Sequence, residues 1–389
     1  MAQDITVVIL GGCGFLGQHI VAELLTEKEK LKTTPPEEGE EGKRLNIKEI
    51  KVLDIKPFTE DCLTGQREDG KSVKYQECDI RNLNNLTENL KGATAVINCA
   101  AVTPDFSREN LGCGDRMQQV NIFGVQNLLT ACQEVGVSVL IHTSSVSVKM
   151  GGQKLVEHTE SLSPEVPEDK LILGEYARGR LKTDQLVLEA HGTKSNEGTA
   201  LRTMVIRPPI LYGEGDNSFV PFIYKLAKAN GNQLPSVGHP DAFLQAAYAG
   251  NVALAYVCAL KHLLTEEDDG NLQYCGGLPV YVTDDTPPNN VPALTEPFLS
   301  HMKFAPSQML SYWTLSLILC WKHLKAMMFG IRDNFGELSP LPTWPLHKLA
   351  GSIAVVSRMR AELCLGYTPQ YSWEQAMKRS NLYYSRKLA

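Results

Sequence analysis

The chain has 389 residues, 43% hydrophobic and 21% charged, enough apolar material for a full core and too much for wholesale disorder. Its 38 Lys and Arg stand against 44 Asp and Glu, a formal charge of −6, which excludes the basic footprint of a nucleic-acid binder. The 10 cysteines form no C-x-x-C pair, which excludes a disulfide scaffold and the usual zinc spacing; they are expected to be reduced thiols of an intracellular protein without a metal site.

Met1 to Asp4 lead directly into an apolar run at 5–10 with no basic segment before it, so no secretory signal is read there. Further short apolar runs lie at 50–53, 73–75, 95–97, 137–141 and 204–206. They are continuous rather than alternating, and helical patterns separate most of them, as parallel strands covered on both faces require. The predicted fold class is therefore α/β, a doubly wound parallel sheet. Residues 27–44, charged and containing Pro and Gly, are expected to be a solvated surface insertion. Past Arg207-Pro208 the strand–helix rhythm gives way to turns and aromatic segments, so a nucleotide-binding domain is expected over 1–210 and a substrate lobe over 211–389.

After the first strand come Gly11, Gly14 and Gly17, three residues apart, with Phe15 and Leu16 opening a helix. Missing side chains allow a tight turn and close approach of backbone to a pyrophosphate, and the helix amino end supplies free N–H donors. The second strand ends at Asp54, an acid placed to accept ribose hydroxyls and to repel a 2′-phosphate. NAD is the expected cofactor, with NADP less favoured; Lys56 nearby leaves some room for it.

Beyond these elements, Cys78-Asp79-Ile80, Asn98-Cys99-Ala100-Ala101, Val120-Asn121, Thr143-Ser144-Ser145 and Tyr176 follow in the order of an extended short-chain dehydrogenase/reductase. Leu211-Tyr212-Gly213-Glu214-Gly215, Gly250-Asn251-Val252-Ala253, Thr283-Asp284-Asp285-Thr286-Pro287 and Tyr371-Ser372-Trp373-Glu374 narrow the likeness. With them the chain resembles the 3β-hydroxysteroid dehydrogenase/Δ5→Δ4-isomerase family. The resemblance implies a Rossmann sheet and oxidation of a 3β-hydroxyl on a steroid or sterol-like alcohol. Tyr176 would be the acid/base, Ser145 would orient the substrate oxygen, and Asn121 would help hold the geometry. Asp79 and Ile80 would lie at the adenine, Ala100 along the cofactor and Pro208 near the nicotinamide. Asp284 or Asp285 would move a proton during double-bond migration, although Asp284-Asp285-Thr286-Pro287-Pro288 is also a plain turn signal. The resemblance further implies a homodimer at the endoplasmic reticulum membrane facing the cytoplasm, the mitochondrial membrane or the cytoplasm being alternatives.

One position departs from the family pattern Tyr-x-x-x-Lys: here Tyr176 is followed by Arg180. On a helix four residues return to the same face, whereas Lys182 at six residues and Arg178 at two point elsewhere. Arg180 is therefore expected to carry the cation's role, keeping cofactor binding but weakening turnover, because arginine cannot relay a proton. A sterol-4-carboxylate 3-dehydrogenase or a sugar-nucleotide epimerase/reductase is the alternative enzyme, and an NAD-binding protein with little or no catalysis is the alternative of another class. Within the apolar, possibly membrane-associating stretch 304–331, residues 309–321 admit three readings: a buried helix, an interfacial segment or a membrane span.

Overall fold

The apolar runs become strands of one sheet: β1 (Asp4–Leu10), β2 (Asn46–Asp54), β3 (Val73–Glu77), β4 (Ala95–Asn98) and β5 (Val139–Thr143). After β6 (Leu155–His158), which lies elsewhere, β7 (Arg202–Arg207) and Pro279–Tyr281 complete it. This computed structural model describes residues 4–33, 45–58, 73–108, 110–234, 239, 241–265, 273–302, 304–306, 312–329 and 342–388. The strand order is Pro279–Tyr281, β7, β5, β4, β1, β2, β3, all parallel. Val7, Ile9, Ile97 and Ile141 share one core with α1 (Phe15–Thr33) and α7 (Ala249–Thr265). Val8, Leu10, Val96 and Leu140 share another with α2 (Leu83–Leu90) and α4 (Gly124–Val135). Both faces being covered explains the continuous apolar runs; each such side chain, when fully buried, contributes about 1.5–3 kcal/mol.

From β1 the chain moves outward to β2 and β3, then returns to the other side of β1 with β4. That reversal opens a crevice at the carboxyl ends of β1 and β4, where ligands of such sheets bind. The glycine turn, Asp54 and the loops after β4 and β5 all leave from that end of the sheet.

Three expectations change. The helix after the glycine turn continues to Thr33, so 27–33 is helix rather than insertion; Glu and Lys favour helix, and Glu27 pairs with Lys261 of α7 at 2.6 Å. The rest of the expected insertion, 34–44, lies outside the described residues. The sheet also does not end at residue 210, because Pro279–Tyr281 pairs with β7 and α7 packs on α1. Third, Tyr312–Phe329 is a helix, yet among the described residues no helix is long and apolar enough to cross a membrane. Its Leu315 and Leu319 are buried, while Trp313, Leu317, Trp321, Leu324 and Met328 form an exposed stripe. Residues 307–311 and 330–331 of the stretch 304–331 lie outside the described residues.

The later part of the chain holds β8 (Ile210–Tyr212), paired with Ala246–Tyr248, and a small sheet of Phe243–Leu244, Ile353–Val356 and β6. Three sequence stretches meet there in a buried polar knot. Asp284 accepts from the backbone N–H of Tyr248 and the amide of Asn251, both at 2.9 Å, and from the N–H of Thr286 at 3.0 Å. Asn251 also bonds the carbonyl and the N–H of Tyr371.

Helix α5 (Gly174–Glu189) runs unbroken through Gly179, where a Cβ would approach nothing closer than Ile122 at 3.7 Å. Gly179→Ala is therefore expected to stabilise the fold by about 0.5–1 kcal/mol. A higher urea midpoint at unchanged slope is the expected readout, and a lower one would show hidden crowding.

Candidate active site

The glycine turn is a cradle that side chains would fill. Gly11 has φ +77°, and a Cβ there would lie 2.6 Å from the backbone N of Ala100; a Cβ at Gly17 would overlap the Gly11 carbonyl oxygen. Gly14 N–H bonds back to Gly11 O at 2.9 Å, and α1 starts at Phe15, so its first N–H groups have no acceptor within the helix. Asp54 sits 8% exposed at the end of β2. Its two oxygens accept from the N–H of Cys13 and of Lys56, each at 3.0 Å, which fixes the carboxylate beside the turn. These donors and this space fit the pyrophosphate and ribose of a dinucleotide. Farther along, Arg81 grips Asp79, with Nε 3.0 Å from each carboxylate oxygen, and that hydrogen bonding holds the carboxyl below its usual value. Ile80 is buried against Gly124.

At the end of β5, Ser145 adopts extended backbone and caps the 3₁₀ turn Val146–Lys149. Its Oγ accepts from the N–H of Ser147 at 3.2 Å, which leaves the hydroxyl proton free to donate. The turn is held by Val146 N–H on the carbonyl of Pro208 and by Ile172 N–H on the carbonyl of Met150. Asn121 lies in a π-helical turn, Gln119–Phe123, joining α3 (Asp115–Gln118) to α4. Its amide clamps the backbone of Val102 at 2.7 and 2.9 Å, so it fixes the loop after β4. The resemblance pointed to Asn121 but not to the π turn, which has no period of its own in the sequence.

Tyr176 and Arg180 share the buried face of α5, 7% and 4% exposed. Arg180 Nε donates to the Tyr176 hydroxyl at 3.4 Å and Nη1 to the Thr143 carbonyl at 3.0 Å; its guanidinium lies 5.4 Å from the Tyr176 ring centroid. Lys182 is exposed and Arg178 meets Glu175 at 3.8 Å, as the helical spacing requires. The Thr143 hydroxyl is 2.7 Å from that of Tyr256 on α7. Burial raises the Tyr256 phenol well above its usual value and the Cys99 thiol to about 12, so both stay protonated.

One turn beyond Arg180, Asp184 is fully buried and accepts from Arg207 Nε at 2.8 Å. Burial pushes the Asp184 carboxyl up, and Arg207 pulls against it. Arg207 also faces Glu160, which Arg360 meets at 3.7 Å. His142, bonded to Asn98 at 3.2 Å, is pushed down to about 3 by burial and then by the Arg180 cation, so it is neutral. Three guanidiniums against two carboxylates leave one positive charge in excess, and Arg180 is in no ion pair among the described residues. The sequence reading missed Asp184 and Arg207, although Asp184 stands four residues after Arg180 on the same helical face.

The acids expected to shuttle protons are engaged elsewhere. Asp284 is taken up by its three donors in the polar knot, and Asp285, 58% exposed at its side chain, meets Arg358 at 2.8 Å. Neither hydrogen-bonds with Tyr176, Ser145 or Arg180.

A family model, the 3-beta hydroxysteroid dehydrogenase/isomerase family, matches residues 41–313. The chain belongs to that family. It is 26% identical over 381 residues to a 3 beta-hydroxysteroid dehydrogenase/Delta 5→4-isomerase of vaccinia virus (strain Western Reserve), covering 96% of both chains. It is 27% identical over 393 residues to the mouse 3 beta-hydroxysteroid dehydrogenase type 7, covering 97% of this chain and 96% of that one. Mouse sterol-4-alpha-carboxylate 3-dehydrogenase, decarboxylating, is 27% identical over 377 residues, covering 96% and 89%. In fold the chain is similar to a dTDP-glucose 4,6-dehydratase from Streptomyces venezuelae determined with NAD bound, with TM-score 0.66, 19% identity and 98% and 97% coverage. A UDP-glucose 4-epimerase of Thermus thermophilus with NAD gives TM-score 0.62 at 20% identity, covering 98% and 99%. Family membership places the chain among oxidoreductases.

Proposed function

We propose that this chain is an NAD-dependent dehydrogenase of the 3β-hydroxyl of a steroid or sterol-like alcohol. The observation that carries the reading is the Tyr176 hydroxyl held by the buried Arg180, whose Nη1 reaches the Thr143 carbonyl at the end of β5, two residues before Ser145. Gly11, Gly14, Gly17 and Asp54 would hold the dinucleotide, with Phe15, Leu16, Asp79, Ile80, Ala100 and Pro208 around it. NAD, when bound, supplies the acceptor for the carbinol hydride. Ser145 donates its free hydroxyl proton in a hydrogen bond to the substrate oxygen and orients it. Tyr176 would first give its own proton to solvent. Arg180 donates to the resulting phenolate, a stronger bond than to the neutral phenol, and the phenolate then takes the proton from the substrate oxygen and becomes the phenol again. Asn121 acts as a positioning residue through Val102. The proposal ends at the ketone, because Asp284 and Asp285 are committed elsewhere.

The nucleotide half in this reading is about 1–210 with α7 and Pro279–Tyr281 added; the remaining chain forms the substrate lobe. The exposed stripe Trp313, Leu317, Trp321, Leu324 and Met328, with Lys325 5.3 Å over the Trp321 ring, suits a helix lying in a membrane interface near an apolar substrate's supply. Flotation with anionic vesicles checks this; a chain left at the bottom of the gradient sinks it.

A second reading, cofactor binding with little turnover, is favoured by one observation: Arg180 is held by both Tyr176 and Thr143 and has no dissociable proton to pass on. Initial rates of NADH formation with a 3β-hydroxy-Δ5-steroid, a 4-carboxysterol and UDP-sugars separate the readings. Formation with the steroid, without appearance of a conjugated enone, is expected. NAD binding with no turnover on any substrate would overturn the dehydrogenase reading.

A further inference from the structure

A cavity of about 590 Å³ lies where the end of the Ser145-capped turn meets the start of helix Tyr312–Phe329 and the strand Ile353–Val356. Its size is within the range of small-molecule sites. Lys154, Lys170 and Lys348 reach its wall from three separate segments, and Asp241 is the one acid among its described lining residues. Among the described residues neither Lys154 nor Lys348 is in an ion pair; Lys170 meets Asp169 at 3.5 Å, both exposed. Met150, Ile172 and Ile353 supply apolar wall, and Tyr312 and Trp313 an aromatic one.

The aromatic wall is built rather than incidental. Tyr312 stacks on His347 at 4.2 Å and meets Trp313 edge-on at 5.6 Å. His347 lies 2.7 Å from the Ser316 hydroxyl, and burial pushes its imidazole down to about 4, so it adds no charge. Gly351 leaves room for the Tyr312 ring, which a Cβ there would meet at 2.5 Å. Two convergent cations without carboxylate partners among the described residues, Lys154 and Lys348, raise the local positive potential, and an adjoining apolar wall adds area for a non-polar body.

We infer that this cavity receives the anionic end of an amphiphilic ligand, a steroid carrying a sulfate or carboxylate at the end remote from the reacting hydroxyl. The inference rests on the dehydrogenase reading for the steroid body and on the lysines for the anion. At about 2 Å per residue the 3₁₀ turn carries the backbone about 10 Å from Ser145 to Met150 on the cavity wall, about the length of a rigid multi-ring body. The same wall is tied to the catalytic helix, since the Ile172 N–H bonds the Met150 carbonyl at 2.9 Å, four residues before Tyr176.

Calorimetric titration of the full chain without NAD tests it, using a C17-sulfated steroid, its unsulfated parent and inorganic sulfate. The conjugate is expected to bind about tenfold tighter than the parent, or about 1.4 kcal/mol. That preference should disappear in Lys154→Gln/Lys348→Gln, two exposed positions outside the catalytic group, and shrink with added salt. Equal binding of parent and conjugate, or a preference that survives the double variant, overturns the inference. Inorganic sulfate that displaces the conjugate at equal concentration also overturns it, since the site would then hold a free anion. The two readings fail separately: no turnover with a lysine-dependent preference removes the dehydrogenase and leaves the cavity, and turnover without preference does the reverse.

Discussion

Tyr176→Phe is expected to lower kcat by roughly a thousandfold while leaving NAD affinity unchanged. The phenyl ring keeps the packing of a side chain that is 7% exposed, so the fold should hold. What is lost is one oxygen, the atom proposed to take the substrate proton, which accepts from Arg180 Nε. The cation keeps its second acceptor, the Thr143 carbonyl at 3.0 Å, so the variant is not left with an unbound guanidinium. Initial rates together with an NAD titration read the result. A variant with near wild-type kcat would remove Tyr176 from the chemistry, and one that no longer bound NAD would make its role structural.

Asp184→Asn is expected to cost about 3–5 kcal/mol of folding stability. Asp184 is the buried anion that Arg207 meets at 2.8 Å, and neutralising it leaves a guanidinium at 4% exposure against an uncharged amide. Desolvating two charges is itself expensive, as the upward push of burial on the Asp184 carboxyl shows. Asp184→Leu/Arg207→Met is therefore expected to recover most of that loss, because it removes both charges together. Urea denaturation of the three chains at equal slope reads this out. A single variant within about 0.5 kcal/mol of wild type would show that the pair is not the buried ion pair described.

The parts of the molecule that repeat at short range were legible in the sequence. Continuous apolar runs marked six of the seven strands of the central sheet, and glycines three apart marked the turn between β1 and α1. The four-residue spacing on α5 placed Arg180 beside Tyr176 and turned Lys182 outward. Features set by distant partners were not legible. Pro279–Tyr281 is three residues long and begins with proline, so only its pairing with β7 makes it a strand. The charged end of α1 reads as a loop until Lys261 of α7 is seen to meet Glu27. Asp284 reads equally as a shuttle or a turn until Tyr248, Asn251 and Thr286 occupy it. Asp184 was within reach of pattern alone, standing on the Tyr176–Arg180 face of α5, and its partner Arg207 twenty-three residues on was not.

The central claim is that Arg180 holds the Tyr176 oxygen as a fixed cation, which keeps the cofactor site but limits turnover. Its most direct test is kcat for NADH formation from a 3β-hydroxysteroid by the wild-type chain and by Arg180→Lys, with NAD affinity measured on both. Lysine keeps the charge and can pass a proton that arginine cannot. Turnover in Arg180→Lys equal to or above a slow wild type, at unchanged NAD affinity, is the predicted result; fast wild-type turnover that falls in Arg180→Lys would contradict it.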